Sequence, residues 1–280
     1  MTLPAVNRDT TTGVIYRRWV CASPDAVFLL VHGLGAHSGR WEHLAAYFLQ
    51  SSISSYAIDL RGFGSTPGPK GHVDSFDLYF KDILALEGII KRECGGKPVF
   101  LVGESMGGLI AFSLAQRHPD AFAGLVCLSP VFKSRLKFGW KRRLRAYFFC
   151  LLDVKRPIRL SFTSAMCTRD SECIKEIERD PHEHRHATPQ LLMQIVLAGW
   201  RARLWPGAFN IPVLFLISGV RDALVDPAAT KKVYELLQAR DKKFIEYPEL
   251  FHALSMELGR EQVFGDILQW VRLRIKGDKQ

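Results

Sequence analysis

The chain lacks any uncharged apolar run approaching the roughly 18 residues that a membrane-crossing helix needs. Its first ten residues also hold no basic stretch followed by an apolar one, the pattern of a secretory signal. A transmembrane or secreted protein is therefore not expected, and the cytoplasm is the default. Cysteine is sparse and unpaired in spacing: Cys21, Cys94, Cys127, Cys150, Cys167 and Cys173 include no Cys-x-x-Cys. A disulfide framework is excluded, Cys167 with Cys173 is too weak a pattern for a bridge or a metal pair, and reduced thiols packing as small hydrophobes remain. Internal repeats, low-complexity tracts and nucleic-acid-binding motifs are missing too. The histidine-rich stretch Pro181-His-Glu-His-Arg-His186 alternates its imidazoles with charged residues, which predicts a solvated turn rather than a metal site. No metal or organic cofactor is expected.

What is present is a core. The chain has 280 residues, 48% of them hydrophobic, enough for one large domain. Continuous apolar segments such as Ala26–Val31, Pro98–Val102, Leu125–Leu128 and Pro212–Ile217 alternate with helical patterns at 41–49, 76–94, 109–117, 228–239 and 257–275. Strands at Ser55–Asp59 and Lys243–Tyr247 complete the rhythm. Strands with no polar face, separated by helices, predict an α/β fold with a mostly parallel central sheet covered on both sides. The rhythm stops over 133–205, which shows helical patterns and no convincing strand, and this reads as a helical cap inserted between core segments 1–132 and 206–280.

The net charge of +10 belongs to that insertion: residues 133–205 hold 16 Lys and Arg against 7 Asp and Glu. Such asymmetry points to an anionic partner. Within it, Trp140, Leu144, Tyr147, Phe148 and Leu151 fall on one helical face and Lys141, Arg142, Arg143 and Arg145 on the other. A basic amphipathic helix with aromatic residues on its apolar side suits an anionic membrane surface. It equally suits a roof over a pocket with its basic face in water.

The chemistry is written at Gly103-Glu104-Ser105-Met106-Gly107-Gly108, directly after an apolar strand and before a helix. Gly-x-Ser-x-Gly in that context is a nucleophile elbow, whose tight turn exposes the serine hydroxyl and tolerates no side chain at the glycines. A serine hydroxyl needs a base and an orienting carboxylate. Both follow in the required order, Asp222 after the strand 212–217 and His252 after the strand 243–247. Asp226 is a competing acid four residues on, but Asp222 sits on the tight post-strand turn. Backbone N–H groups of Leu34, in His32-Gly33-Leu34-Gly35, and of Met106 are the candidate oxyanion donors. Ser105 argues against the aspartate-nucleophile dehalogenases and epoxide hydrolases, whereas carboxylesterases, thioesterases, peptidases and carbon–carbon hydrolases keep a serine and stay open.

The segments His32–Trp41, Asp59-Leu-Arg-Gly-Phe-Gly-Ser65, Gly71-His72-Val73, Gly103–Gly108, the Asp222 turn and the His252 loop together resemble the monoacylglycerol lipase and lysophospholipase branch of the α/β-hydrolases. The resemblance covers about residues 30 to 275 and fades in the cap, where Asp180-Pro181 alone is familiar. It implies Ser105 as nucleophile, Asp222 as acid, His252 as base and Leu34 with Met106 as oxyanion hole, acting on a lipid ester through an acyl-enzyme. The chain departs from the family at Ala36, usually Glu, and Phe63, usually His, both in loops. Asp59 and Arg61 are expected to brace those loops through charge-assisted hydrogen bonds. A non-catalytic ligand-binding protein on the same fold is the alternative from a different class.

Overall fold

The computed structural model describes residues 4–136 and 154–277. The basic helical pattern at 140–151 lies outside the described residues. Among the described residues, eight strands form one sheet: β1 (Asn7–Arg8), β2 (Ile15–Trp19), β3 (Ala26–Val31), β4 (Ile53–Asp59), β5 (Val99–Glu104), β6 (Gly124–Leu128), β7 (Val213–Ser218) and β8 (Lys242–Tyr247). Their order is β1-β2-β4-β3-β5-β6-β7-β8. The β1/β2 and β2/β4 pairs are antiparallel, and every later pair is parallel.

Side chains of period two divide this sheet between two cores. Val27, Leu29 and Val31 join Leu101 and Phe215 in one, while Phe28, Leu30, Phe100, Val102 and Leu214 face the other. Helices α2 (Phe76–Glu93) and α3 (Met106–Arg117) cover the first. Helix α1 (Glu42–Leu49) covers the second through Leu44, Ala45 and Phe48. Between β6 and β7 lie α4 (Ser171–Arg179) and α5 (Pro189–Leu204). Helices α6 (Pro227–Leu236) and α7 (Arg260–Gly277) complete the two layers, Val233 packing in the first core and Phe264, Ile267 and Trp270 in the second. This is the α/β-hydrolase arrangement, with the loops after β3, β4, β5, β7 and β8 gathered at one edge of the sheet.

Some boundaries differ from the sequence expectation for identifiable reasons. Helix α6 stops at Leu236, because Leu237 is extended (ψ 127°) and Gln238–Ala239 pairs with Ala208–Phe209. Helix α7 begins at Arg260 rather than Glu257, since Gly259 turns the chain with φ +89°. The β6–β7 connection, expected to hold no strand, contains a short ribbon in which Ile158–Arg159 pairs antiparallel with His186–Ala187.

Candidate active site

The turn from β5 into α3 puts Ser105 at φ 57°, ψ −117°, a conformation that non-glycine residues rarely adopt. Its backbone is held on both sides: Ser105 N–H donates to Leu128 O at 2.9 Å, and its carbonyl accepts from Leu109 N–H and Val131 N–H, each at 3.1 Å. The flanking glycines are steric requirements. A Cβ on Gly103 would overlap the Gly107 carbonyl, and one on Gly107 would overlap the carbonyl oxygens of Val31 and His32. Gly107→Ala is therefore expected to destabilise the fold by about 1–3 kcal/mol through overpacking. Gly88→Ala, in mid-α2 where only the Arg92 side chain lies near at 3.7 Å, should stabilise by up to about 1 kcal/mol. Thermal unfolding of the pair checks both signs.

Ser105, His252 and Asp222 form one hydrogen-bonded line. His252 Nε2 lies 2.9 Å from Ser105 Oγ, and Nδ1 lies 2.8 Å from Asp222 Oδ2. The other carboxylate oxygen, Oδ1, accepts from Leu224 N–H and Val225 N–H, both at 2.8 Å. Burial works against the charged Asp222, yet the facing His252 and these donors outweigh it and hold the carboxyl below its ordinary range. Burial likewise disfavours charged His252, but the Asp222 carboxylate and, to a smaller extent, the charge of Glu104 leave the imidazole above its ordinary value. Asp226 lies elsewhere: Oδ1 caps α6 at Ala228 N–H (3.2 Å), and Oδ2 meets Lys133 Nζ at 2.8 Å.

The loop after β3 lies against the serine, for a Cβ on Gly33 would sit 3.2 Å from Ser105 Cβ. His32 fixes that loop. A carbonyl only accepts and an amide N–H only donates, so its two backbone partners define the tautomer: Nδ1–H donates to Gly33 O (2.8 Å) and Nε2 accepts from Leu60 N–H (3.1 Å). Burial lowers the His32 value to about 4, so the ring stays neutral. Asp59 binds the same loop to its neighbour, accepting from Ser38 N–H (2.7 Å) and Ser65 N–H (2.9 Å). Arg61 forks onto both oxygens of Asp82 at 2.6 and 2.8 Å.

Leu34 and Met106 line a pocket together with Ser105 and His252. Its walls are otherwise mainly apolar, and Leu136, Leu160, Phe162, Leu192, Ile195 and Val196 all come from the β6–β7 connection. The stretch 181–186, expected to be a solvated turn, instead docks on the core loops. His184 N–H donates to Gly35 O at 3.1 Å, and its ring stacks on Phe63 at 5.1 Å. Arg40 Nε donates to Glu183 Oε1 at 2.9 Å. The loops after β3 and β4 present carbonyls that need donors, and this stretch supplies them. Ala36 and Phe63, the two family departures, thus fall on the surface that receives the connection.

Two contributors escape sequence reasoning. Arg135, counted there with the basic cap, donates through Nη1 to the Asp222 carbonyl at 2.6 Å, while Arg135 N–H donates to Leu224 O at 2.8 Å. The other is buried Glu104, which lines the pocket and accepts from Ser255 N–H (3.0 Å) and Ser255 Oγ (2.8 Å), three residues past His252. Burial pushes the Glu104 carboxyl up, against the pull of Ser255 and His252. His252 must be neutral to accept the Ser105 proton, so if it serves as base kcat/KM should fall as pH drops through its raised value. Glu104→Gln removes a negative charge facing His252 and should move that acidic limb to lower pH, read from the pH profile.

Among known proteins, the chain is 29% identical over 255 residues to the monoglyceride lipase of Homo sapiens, covering 90% of this chain and 84% of that one. It is 26% identical over 258 residues to an uncharacterized abhydrolase domain-containing protein of Dictyostelium discoideum, covering 91% of this chain but 27% of that one. The chain therefore spans about a quarter of that relative's length. The crystal structure of a soluble variant of the Saccharomyces cerevisiae monoglyceride lipase with a substrate analog superposes with a TM-score of 0.87 at 21% identity, covering 98% of this chain and 96% of that chain. Residues 22–259 match the Hydrolase_4 family, described as serine aminopeptidase, S33. The chain belongs to this Hydrolase_4 family, in the monoacylglycerol lipase-like branch of the α/β-hydrolases.

Proposed function

We propose that the protein is a carboxylic ester hydrolase that cleaves a monoacyl lipid, a monoacylglycerol or lysophospholipid, through an acyl-enzyme on Ser105. The observation that carries this reading is the Ser105–His252–Asp222 line opening into a mainly apolar pocket. His252 Nε2 takes the hydroxyl proton as Ser105 Oγ attacks the ester carbonyl, and Asp222 stabilises the imidazolium that results. Backbone N–H groups of Leu34 and Met106 receive the oxyanion, the second aided by the N-terminus of α3. The tetrahedral adduct collapses with loss of the alcohol, which takes its proton from His252. Water, deprotonated by the same base, then releases the fatty acid.

Two further elements of the reading concern segment 133–205. It acts as a lid on a core formed by 1–132 and 206–280, its apolar residues enclosing the acyl chain. It also meets the membrane that supplies the substrate. Helix α5 carries an exposed apolar face including Val196 (66% exposed) and Trp200 (50%), followed by Trp205 (62%), and Val196 reaches the pocket as well. Arg201 and Arg203 flank this face, so an anionic bilayer suits it in both apolar and charged character. No helix among the described residues is long and apolar enough to cross a membrane.

A hydrolysis panel tests the substrate class. Monoacylglycerols and lysophospholipids should be cleaved with higher kcat/KM than acetyl esters or aminoacyl anilides. Faster cleavage of the aminoacyl anilides would instead favour the peptidase chemistry in the family's description.

A further inference from the structure

Among the described residues outside the active site, one group of side chains has the makings of a metal centre. His43 projects from α1, on the sheet-covering layer, and Cys173 and Glu176 project from α4, in the β6–β7 connection. The spacing of three along α4 puts the thiol and the carboxylate on one helical face. His43 Nε2 lies 3.7 Å from Cys173 Sγ and 3.5 Å from Glu176 Oε2, and the three donor atoms all fall within 4.8 Å of one another. Zinc binds imidazole nitrogen and carboxylate oxygen at about 2.0–2.2 Å and thiolate sulfur at about 2.3 Å, so tetrahedral ligands stand roughly 3.3–3.6 Å apart. The two nitrogen-centred separations are already near that spacing.

We propose that His43 Nε2, Cys173 Sγ and Glu176 Oε2 form a binding site for a thiophilic divalent cation, of which Zn²⁺ is the best fit, joining the hydrolase core to the β6–β7 connection. A nitrogen, sulfur and oxygen donor set selects zinc over magnesium or calcium, which prefer oxygen alone. His43 and Glu176 open on a cleft between α1 and α4, which gives the ion an entry path and space for a water as fourth ligand. Cys173 closes the inner side, buried among Ile177 and Met256. On binding, the thiol proton leaves to solvent as the metal–sulfur bond forms. Arg260 Nη1 lies 3.8 Å from the sulfur and is held by Asp170 Oδ2 at 2.7 Å. From there it can donate to a thiolate, the kind of outer contact that supports metal-bound sulfur.

The position gives the site a mechanical consequence. The segment leading into α4 is already anchored to the loop that follows His252, through Thr168 Oγ1 to Met256 O (2.9 Å) and Arg169 Nε to Glu257 Oε1 (2.9 Å). An ion at Cys173 would add a second attachment, to α1, and stabilise the folded state by mass action.

Zn²⁺ itself, titrated into the full chain with a non-chelating reductant, is the probe. One equivalent should bind and raise Tm. Co²⁺ in its place should give the intense visible bands of tetrahedral coordination and a thiolate charge-transfer band in the near ultraviolet. Cys173→Ser should abolish the charge-transfer band and weaken Zn²⁺ binding by more than about tenfold. Glu176→Gln, at a half-exposed surface position that leaves folding intact even if the buried serine variant fails, should weaken it comparably while keeping the sulfur band. Absence of binding by the unaltered chain, or equal affinity in the unaltered chain and Glu176→Gln with no sulfur band, would overturn the proposal.

Discussion

Ser105→Ala is expected to lower kcat on a monoacyl ester by about 10⁴- to 10⁶-fold, the scale seen when a hydroxyl nucleophile is removed and only binding and oxyanion stabilisation remain. The size follows from the proposed attack by Ser105 Oγ, which faces His252 Nε2 at 2.9 Å. Stability should change little by comparison. Alanine inherits the same φ of 57°, so the strain of the elbow is neither relieved nor increased, and one hydrogen bond worth roughly 0.5–1.5 kcal/mol is lost. Steady-state rates alongside thermal unfolding separate the two effects. A variant retaining more than a hundredth of the activity with a normal Tm would mean that another group attacks.

Asp222→Asn is the second large effect, expected near 10⁴-fold in kcat. Asp222 Oδ1 accepts two backbone N–H bonds, from Leu224 and Val225. An asparagine would leave its carbonyl oxygen there and turn its NH₂ toward His252 Nδ1. Nδ1 must then accept, which puts the ring proton on Nε2, and that nitrogen can no longer take the Ser105 proton. The imidazolium also loses its facing charge. Asp226→Asn is the matched comparison: asparagine caps a helix about as well as aspartate, and the partly exposed pair with Lys133 is worth about 0–1 kcal/mol. Activity should therefore stay within a fewfold of the unaltered protein. If Asp226→Asn were the inactive variant and Asp222→Asn the active one, the acid would have been assigned to the wrong carboxylate.

The residues of this line were legible because their signals are local. An apolar strand, a glycine-bounded serine and a helix lie within about twenty residues, and the acid and histidine each follow a strand in the order the fold dictates. The layered sheet was legible for a similar reason, since strands like Ala26–Val31 have no polar face to leave exposed. Contacts made at long range carried no such signal. Glu104 occupies the variable position of the elbow and reads as neutral until Ser255, 151 residues on, is brought against it. Arg135 belongs to a basic segment by sequence, yet its guanidinium braces the carbonyl of Asp222. The stretch 181–186 looked polar enough for water, but Phe63 and the carbonyls of Gly35 and Gly62 claim His184. Two-residue ribbons such as Ile158–Arg159 with His186–Ala187 are too short to leave a periodic pattern.

The nucleophile itself can be identified by a single covalent measurement. A fluorophosphonate reacts with a serine activated by a neighbouring base and leaves a stable phosphonyl ester, so the labelled chain can be digested and the modified peptide sequenced by mass spectrometry. Stoichiometric modification of Ser105 in the unaltered protein, and none in Ser105→Ala, is the expected result. Failure of the unaltered protein to react, or equal labelling of Ser105→Ala, would contradict the assignment of Ser105 as the attacking residue.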